Sequence, residues 1–180
     1  MSDAWRDGSL ESHIRSVPGF PKPGIVFRDI TPLLADAAAL DAALQALVAI
    51  ARELRPDMVI APEARGFLLG PAIAREAGAG FAPARKPGVL PRETIGVEYE
   101  LEYATSSLEL HSDAISAGSR VLVHDDLLAT GGTAGALVRL VEQLGAEVVG
   151  CAFLIELAFL GGRARLQPHE VHALIRYEQE

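Results

Sequence analysis

Residues 120–134 read Arg120-Val-Leu-Val-His-Asp-Asp-Leu-Leu-Ala-Thr-Gly-Gly-Thr-Ala134, and this stretch decides the fold. Its apolar run at 121–123 predicts a buried strand; Asp125 and Asp126 follow, and a turn rich in hydroxyls and glycine then leads into a helix. Such a turn offers backbone N–H groups to a phosphate, and the helix N-terminus adds its dipole. The two acids supply acceptors for sugar hydroxyls at the carboxyl end of the strand, where open α/β sheets bind ligands. The order of these features predicts a site for a sugar phosphate.

The same residues have a simpler interpretation. Asp125 and Asp126 could be a solvated strand end, with Thr133 capping an ordinary helix. The stretch is neither a Walker A loop nor a dinucleotide fingerprint, because it lacks both Gly-Lys-Ser/Thr and G-x-G-x-x-G. The full combination of strand, acid pair, glycine turn and helix is rarer than its parts, and it favours the phosphate site.

The composition indicates one globular domain over residues 1–180. The chain is 49% hydrophobic and 22% charged, which is ordinary for a folded protein. Its net charge of -8 argues against nucleic-acid binding, which needs a basic face. The single cysteine, Cys151, allows neither an internal disulfide nor a cysteine metal cluster, and a small buried hydrophobe is expected there. No segment resembles a signal peptide or a membrane span, so we expect a cytoplasmic protein without a membrane partner.

Helical and strand patterns alternate along the chain. Apolar spacing predicts helices over residues 3–16, 36–54, 67–76 and 133–144, with Asp36 as an N-cap and Gly78 ending the third of them. Apolar runs predict strands over 58–61, 81–84, 121–123, 148–157 and 171–175. This alternation predicts an α/β fold with a central, mostly parallel sheet flanked by helices.

Residues 87–105 depart from that pattern. They show no helical period, yet 97–103 alternate between apolar and polar residues, which predicts a half-exposed strand or hairpin outside the core sheet. A long excursion of this kind is typical of a lid over a site. It could equally be an arm that contacts a second subunit, and the two roles are compatible.

Several motifs together resemble one family. The stretch 121–133 resembles the phosphoribosyl pyrophosphate loop of the type I phosphoribosyltransferases. Other segments are similar to the adenine phosphoribosyltransferases within that family: Pro21-Lys-Pro-Gly-Ile-Val-Phe-Arg-Asp-Ile30, Glu63-Ala-Arg-Gly-Phe67, Arg85-Lys-Pro-Gly88, Leu90-Pro-Arg-Glu-Thr94, Leu101-Glu-Tyr103 and Arg176-Tyr-Glu178. The similarity covers nearly the whole chain in order.

The resemblance implies a fold and a reaction. The fold is the type I phosphoribosyltransferase fold, with an N-terminal helix and base-binding hood segment at 1–35 and a mobile, hairpin-like catalytic loop at 86–105. The reaction is a pentosyl transfer of purine salvage, in which adenine and 5-phosphoribosyl 1-pyrophosphate (PRPP) give AMP and pyrophosphate. The family also implies Mg²⁺, held mainly by substrate oxygens and not by a protein metal site, and a homodimer.

The resemblance assigns site residues to each part of the substrates. The 5-phosphate is expected to meet Ala129, Thr130, Gly131, Gly132 and Thr133. The pyrophosphate is expected to meet Glu63, Ala64, Arg65, Arg85 and Lys86, of which Arg85 and Lys86 reach a neighbouring subunit. Adenine is expected to meet Val26, Phe27, Arg28 and Leu127. A cis peptide bond is implied between Glu63 and Ala64.

Catalytic roles are implied for Glu102, Asp125, Asp126 and Arg65, with Tyr103 beside Glu102 on the loop. Loss of pyrophosphate builds positive charge on the sugar and negative charge on the leaving group, so anions near the ring and cations near the diphosphate favour the transition state. On chemistry alone Glu98 and Glu100 rival Glu102, because all three lie on one strand face. Only the family motif selects Glu102 for proton transfer.

Three residues depart from the family pattern. His124 stands where an apolar residue is usual, and we expect a buried neutral histidine with a backbone partner there, not a ligand or catalyst. Val89 replaces a common lysine, so one phosphate contact is lost or moves to Arg92. Ala104 replaces a glycine, which removes conformational freedom from the loop.

Two other functions remain open at the level of sequence. The first is a regulator that senses PRPP without converting it, although the chain is acidic and has no additional segment for binding nucleic acid. The second is a transferase for another base, such as hypoxanthine, guanine, xanthine or orotate.

Overall fold

The computed structural model describes residues 10–101 and 104–179, with the backbone alone of residues 100, 101, 104 and 105. The elements, in chain order, are β1 (Arg15–Pro18), β2 (Val26–Asp29), α1 (Thr31–Ala35), α2 (Ala37–Leu54), β3 (Met58–Pro62), α3 (Gly70–Ala77), β4 (Gly80–Ala84), β5 (Thr94–Leu101), β6 (Ala104–His111), β7 (Arg120–Leu128), α4 (Gly132–Gln143), β8 (Glu147–Leu157) and β9 (Val171–Tyr177). Short 3₁₀ turns lie at Glu11–His13, Arg65–Leu68, Ala158–Leu160 and Gly162–Leu166.

Five strands form the central sheet in the order β4-β3-β7-β8-β9. Every neighbouring pair in it is parallel, which confirms the predicted parallel sheet. The carboxyl ends of β3, β7 and β8 therefore lie at one edge of the sheet. Strand β7 itself and the segments that leave β3, β4 and β7 hold most of the predicted site residues, so the topology brings distant parts of the sequence together.

Hydrophobic cores lie on both faces of the sheet. Ile60 and Val123 belong to the core under α4, whereas Val59 and Leu122 belong to the core under α2 and α3. Neighbouring strand residues thus enter opposite cores, as the two-residue period of a strand requires. The continuous apolar runs at 58–61 and 121–123 follow from this burial on both faces.

Local signals place the helix ends as predicted. The Asp36 carboxylate accepts hydrogen bonds from the backbone N–H groups of Ala38 and Ala39, at 3.0 and 2.9 Å, and so caps α2. Gly78, at φ 75°, follows the last residue of α3. The predicted helix at 67–76 is divided, because a 3₁₀ turn at Arg65–Leu68 precedes α3.

The predicted N-terminal helix over 3–16 is wrong where the structure describes it. Residues 1–9 lie outside the described part, and only a 3₁₀ turn at Glu11–His13 follows before β1 begins. β1 pairs antiparallel with β2, from Arg15 opposite Asp29 to Pro18 opposite Val26. Pairing with partners eight to fourteen residues further along the chain overrides the helical spacing of Leu10 and Ile14, which are nevertheless both buried.

The alternating segment forms the predicted hairpin outside the core sheet. β5 and β6 pair antiparallel from Thr94 opposite His111 to Leu101 opposite Ala104. The hairpin reaches further than the predicted loop at 86–105, since its second strand continues to His111. Val97, Leu108 and Leu110 pack into the core under α4, so the base of the hairpin is fixed to the domain.

Candidate active site

The sequence predicted that the acid pair follows the strand at 121–123, but the structure places both acids inside β7. Parallel pairing with β8 continues past the acids, with Asp125 opposite Phe153 and Leu128 opposite Glu156. Local sequence could not predict that the strand continues through polar residues, because backbone pairing with the apolar strand β8 extends it. The acids still lie near the carboxyl edge of the sheet, and the phosphate-loop residues follow directly.

Asp126 is a buried acid with unused hydrogen-bonding capacity. It is 1% exposed, and neither of its carboxylate oxygens has a hydrogen-bond partner. Arg65 Nε lies 3.3 Å from Asp126 Oδ2. Burial raises the pKa of Asp126, and the positive charge of Arg65 opposes that rise. A carboxylate held in this way has acceptor positions available for a ligand.

Asp125 lies against the 3₁₀ turn that follows β3. A Cβ built on Gly66 would be 3.3 Å from Asp125 Oδ1 and 2.5 Å from Pro62 Cδ, so this close approach requires glycine. Asp125 Oδ1 also accepts a hydrogen bond from the backbone N–H of Asp126 at 2.9 Å. Burial raises the pKa of Asp125 well above its ordinary value, and the charge of Asp126 raises it further.

Arg65 connects the acid pair to the hood formed by β1 and β2. Its guanidinium carbon lies 5.3 Å from the centroid of the Phe27 ring, while its Nε faces Asp126. Phe27 in turn meets Phe20 edge to face, at 5.2 Å between ring centroids. The predicted adenine segment, pyrophosphate turn and ribose acids are therefore adjacent in space.

Arg28 and Leu127 help to hold the hood on the domain. The Arg28 guanidinium lies 3.9 Å from the Tyr177 ring centroid and donates to the Ser16 hydroxyl. Leu127 packs against the core that contains Leu10 and Ile14. The Arg28 side chain is thus engaged with β9, and the roles of Val26, Arg28 and Leu127 in adenine binding stay predictions.

The predicted pyrophosphate turn is built around the Glu63 carboxylate. Oε2 accepts from Arg85 Nε and Nη2 at 2.9 and 2.8 Å, and Oε1 accepts from the backbone N–H of Lys86 at 2.7 Å. The Lys86 N–H, followed by Arg85, lowers the pKa of Glu63. The Glu63–Ala64 peptide bond is cis, as the resemblance implied. Ala64, Arg65 and Lys86 are exposed at this turn.

The phosphate-loop residues join β7 to α4. Gly131 precedes α4 at φ 82°, a left-handed conformation that favours glycine, and no side chain caps this helix end. The alternative interpretation of Thr133 as a helix cap is therefore wrong, because the helix already begins at Gly132. The N–H groups of the first helical turn remain uncapped by side chains, as a phosphate site requires.

His124 has the structural role expected of it. It is fully buried, and its Nδ1 lies 2.9 Å from the Ala152 carbonyl oxygen. Burial lowers the pKa of His124 to about 4, so the ring is neutral at physiological pH. Cys151 is likewise a buried residue whose thiol pKa is raised to about 12 by burial.

Glu102 and Tyr103 lie outside the described residues, between the ends of β5 and β6. The structure shows the strands that lead to them, and their predicted roles stay predictions. Arg92 donates to Asp113 and Val89 is exposed, so the place of the missing lysine contact also stays a prediction.

Sequence reasoning missed a buried ion pair at the same edge of the sheet. The Glu156 side chain, 3% exposed, binds Arg163 through two contacts, Oε1 to Nε at 3.0 Å and Oε2 to Nη2 at 2.6 Å. Arg163 follows the glycines Gly161 and Gly162. That glycine pair, which begins four residues after the end of the predicted strand at 148–157, was the signal that could have drawn attention to the segment.

Three kinds of ligand-binding group meet at one edge of the sheet. The buried Asp126 and the half-buried Asp125 offer acceptors for hydroxyl groups or a hard cation. Arg65 offers positive charge beside them, and an uncapped helix end offers N–H donors to a phosphate. A sugar carrying phosphate groups is the class of ligand that uses all three together.

Comparisons with known proteins identify the family of the chain. Residues 32–173 match the family model described as "Phosphoribosyl transferase domain". An adenine phosphoribosyltransferase of Rubrobacter xylanophilus is 58% identical over 169 residues, which cover 93% of this chain and 91% of the relative. The crystal structure of the enzyme from Thermoanaerobacter pseudethanolicus has a TM-score of 0.91 at 50% identity, covering 93% of this chain and 98% of that one.

A more distant structure has ligands bound. Adenine phosphoribosyltransferase from Saccharomyces cerevisiae, complexed with adenine and an imino-altritol bisphosphate, has a TM-score of 0.90 at 37% identity, covering 96% of this chain and 99% of that one. Family model, relatives and structures lead to the same assignment. The chain belongs to the phosphoribosyltransferase family and, within it, to the adenine phosphoribosyltransferases, the purine-salvage transferases that move a phosphoribosyl group onto adenine.

Proposed function

We propose that Asp125, Asp126, Arg65 and the loop 129–133 form the PRPP site of this enzyme. The observation that carries the proposal is Asp126, a buried acid with no hydrogen-bond partner, which pairs with Arg65 and lies in the strand that leads into the loop before α4. A buried carboxylate whose oxygens accept no hydrogen bonds is costly in the absence of a ligand, even beside a positive charge such as Arg65. Ribose hydroxyls that donate to its oxygens would offset this cost when PRPP binds.

Each group has a separate part in the transfer. The acids stabilise the positive charge that develops on the ribose ring, while Arg65 stabilises the negative charge of the departing pyrophosphate. The loop 129–133 holds the 5-phosphate through backbone N–H groups and the hydroxyls of Thr130 and Thr133. Phe27 covers the adenine ring, and Glu102 exchanges a proton with the base as its nitrogen attacks C1.

The donor set fits Mg²⁺ held mainly by the substrate. Mg²⁺ takes oxygen ligands and commonly keeps few protein contacts in phosphate sites. Asp125 and Asp126 supply such oxygens, whereas the described residues contain no group of three or more His, Cys, Asp or Glu side chains arranged around a metal. When bound, the ion would neutralise charge on the pyrophosphate, and the two acids would hold it beside the ribose.

Mg²⁺ and PRPP are therefore expected to strengthen each other's binding. PRPP affinity, measured by calorimetry, should fall about tenfold when EDTA removes the cation, a typical coupling between linked ligands. Ribose 5-phosphate is the matched control, because it lacks the diphosphate and should bind almost equally with and without Mg²⁺. Equal PRPP affinity under both conditions would show that the ion has no part in binding.

We further propose a homodimer in which Lys86 acts in the neighbouring site. Glu63 binds the Arg85 guanidinium and the Lys86 backbone, while the Lys86 side chain remains exposed beside the pyrophosphate turn. Leu68, in the same 3₁₀ turn as Arg65, is a large apolar side chain that is 49% exposed. A cationic side chain and an apolar one, both exposed next to the site, support an interface here.

Mixed dimers test this arrangement. Asp125→Asn removes an acid from a chain's own site, and Lys86→Ala should lower activity about tenfold through loss of one charged contact. If Lys86 serves the partner, co-expressed chains carrying one change each form dimers with one intact site, and activity exceeds that of both parent variants. If Lys86 serves its own site, every site in the mixed dimer is defective and no activity is regained.

The remaining proposals concern the cellular setting. No helix among the described residues is long and apolar enough to cross a membrane. A single buried cysteine suits a reducing compartment, which supports a cytoplasmic location. The acidic net charge of -8 supports small molecules, and not nucleic acid, as the partners.

A further inference from the structure

The segment after β8 lies directly against the phosphate loop after β7. It consists of the 3₁₀ turns Ala158–Leu160 and Gly162–Leu166, joined by Gly161 at φ 67°. β7 and β8 are parallel neighbours, with Leu128 opposite Glu156, so the chains that leave them begin side by side. We name residues 158–166 the buttress segment.

The contact between the two segments is backbone against backbone. A Cβ built on Gly162 would lie 2.1 Å from the Ala129 carbonyl oxygen and 2.9 Å from the Gly131 nitrogen. A Cβ built on Gly131 would lie 2.6 Å from the Gly162 carbonyl oxygen. No flexible side chain can yield at these positions, so a side chain on Gly162 must displace the loop, the buttress segment or both.

The buttress segment is itself firmly anchored. Arg163, next to Gly162, binds the buried Glu156 carboxylate through two nitrogens and donates through Nη1 to the Val171 carbonyl at 2.5 Å. Leu166, 1% exposed, ends the segment inside the core under α4. These contacts tie Gly162 to β8 and β9, so its position against the loop is set by the sheet.

We propose that Gly162 is a positioning residue for the 5-phosphate loop, held in place by the Arg163–Glu156 pair. Because Gly162 has no side chain, its backbone can pack directly against the backbone of Ala129 and Gly131. This contact supports the loop conformation in which its N–H groups point toward the phosphate. The inference rests on the proposed role of residues 129–133. It adds a residue that touches neither substrate but determines how tightly one end of PRPP is bound.

Gly162→Ala tests the inference, with Gly135→Ala as a matched control. Both glycines lack a left-handed φ, but a Cβ on Gly135 meets no atom within 4 Å. Gly162→Ala should raise the KM for PRPP and the Kd of ribose 5-phosphate about tenfold or more, as expected when a binding group is displaced. The KM for adenine and the Kd of pyrophosphate should stay within about twofold of wild type, and Gly135→Ala should behave as wild type in all four.

Arg163→Lys provides a second variant that adds no atoms at the contact. Lysine keeps the charge but cannot form the two parallel hydrogen bonds that the Arg163 guanidinium makes with Glu156. It should therefore weaken ribose 5-phosphate binding by a smaller factor than Gly162→Ala does, without weakening the binding of pyrophosphate or adenine. This variant keeps the inference testable if Gly162→Ala does not fold. Wild-type ribose 5-phosphate binding in the folded variants would overturn the inference. Equal weakening for ribose 5-phosphate, pyrophosphate and adenine would also overturn it, because that result indicates general damage.

Thr130→Ala separates this inference from the proposed function. If Thr130→Ala weakens ribose 5-phosphate binding and Gly162→Ala does not, the loop binds the phosphate and only the positioning role is wrong. If neither variant changes ribose 5-phosphate binding, the assignment of the loop is wrong, and the role of Gly162 is overturned with it.

Discussion

Asp125→Asn and Asp126→Asn should each lower kcat by about 10²–10³, the usual effect of losing one electrostatic contact to a transition state. Both acids are inside β7, beside Arg65 and the phosphate loop, where the ribose of PRPP is proposed to lie. Asparagine keeps the size and one acceptor oxygen but removes the negative charge. Steady-state kinetics with saturating adenine and PRPP measure the loss.

The same substitution of Asp125 should increase stability. Burial raises the pKa of Asp125 in the folded protein, so at neutral pH folding must either take up a proton or bury a charge that the unfolded chain keeps in water, and both cost free energy. This destabilisation develops as pH rises above the unfolded pKa of about 3.9, and it is absent when both states are protonated. The Tm of Asp125→Asn should therefore exceed that of wild type at neutral pH, and the difference should shrink as pH falls toward about 4.

The two measurements check each other. A folded Asp125→Asn variant with raised Tm and lost turnover is the pattern of an acid retained for function at the expense of stability. If both asparagine variants fold and turn over at the wild-type rate, the assignment of the acid pair is wrong.

Glu102→Leu should lower kcat by about 10²–10⁴, the range typical of general acid–base catalysis. Adenine must change its protonation as its nitrogen attacks the sugar carbon, and the resemblance of Leu101-Glu102-Tyr103 to the family motif is the reason for proposing the Glu102 carboxylate for this step. Binding of PRPP alone should change little, because the proposed PRPP contacts come from β7, its loop and the turn after β3. Kinetics and calorimetry on one preparation separate the two effects.

Glu98→Leu and Glu100→Leu are the matched controls, since they make the same change four and two residues earlier in the chain. Glu98 is exposed, and its backbone carbonyl accepts a hydrogen bond from Arg139 of α4 at 3.0 Å, so that part of β5 is fixed to the domain. Both variants should keep kcat within about threefold of wild type. A near-normal Glu102→Leu, or an equal loss at Glu98, would assign proton transfer to another group.

The family resemblance reached further than the local patterns. It implied the cis bond before Ala64 and the reaction on adenine, which the structure and the comparisons respectively bear out. Apolar periodicity by itself predicted α2, β3 and α4 to within about two residues. It failed at the N-terminus, where Leu10 and Ile14 have helical spacing but the chain pairs as β1 with β2.

The sequence by itself determined the order of the core elements, the parallel sheet and the run of acids, hydroxyls and glycines that leads from the apolar part of β7 to α4. Those features depend on apolar periodicity, helix caps and turn residues, and each of these signals involves only residues that are close together in the sequence. Tertiary structure alone decided that Arg65 lies between Phe27 and Asp126, that β7 continues through the acid pair, and that Gly162 touches Ala129 and Gly131. These contacts join residues far apart in the chain, and they exist because parallel strands bring their carboxyl ends to one edge of the sheet.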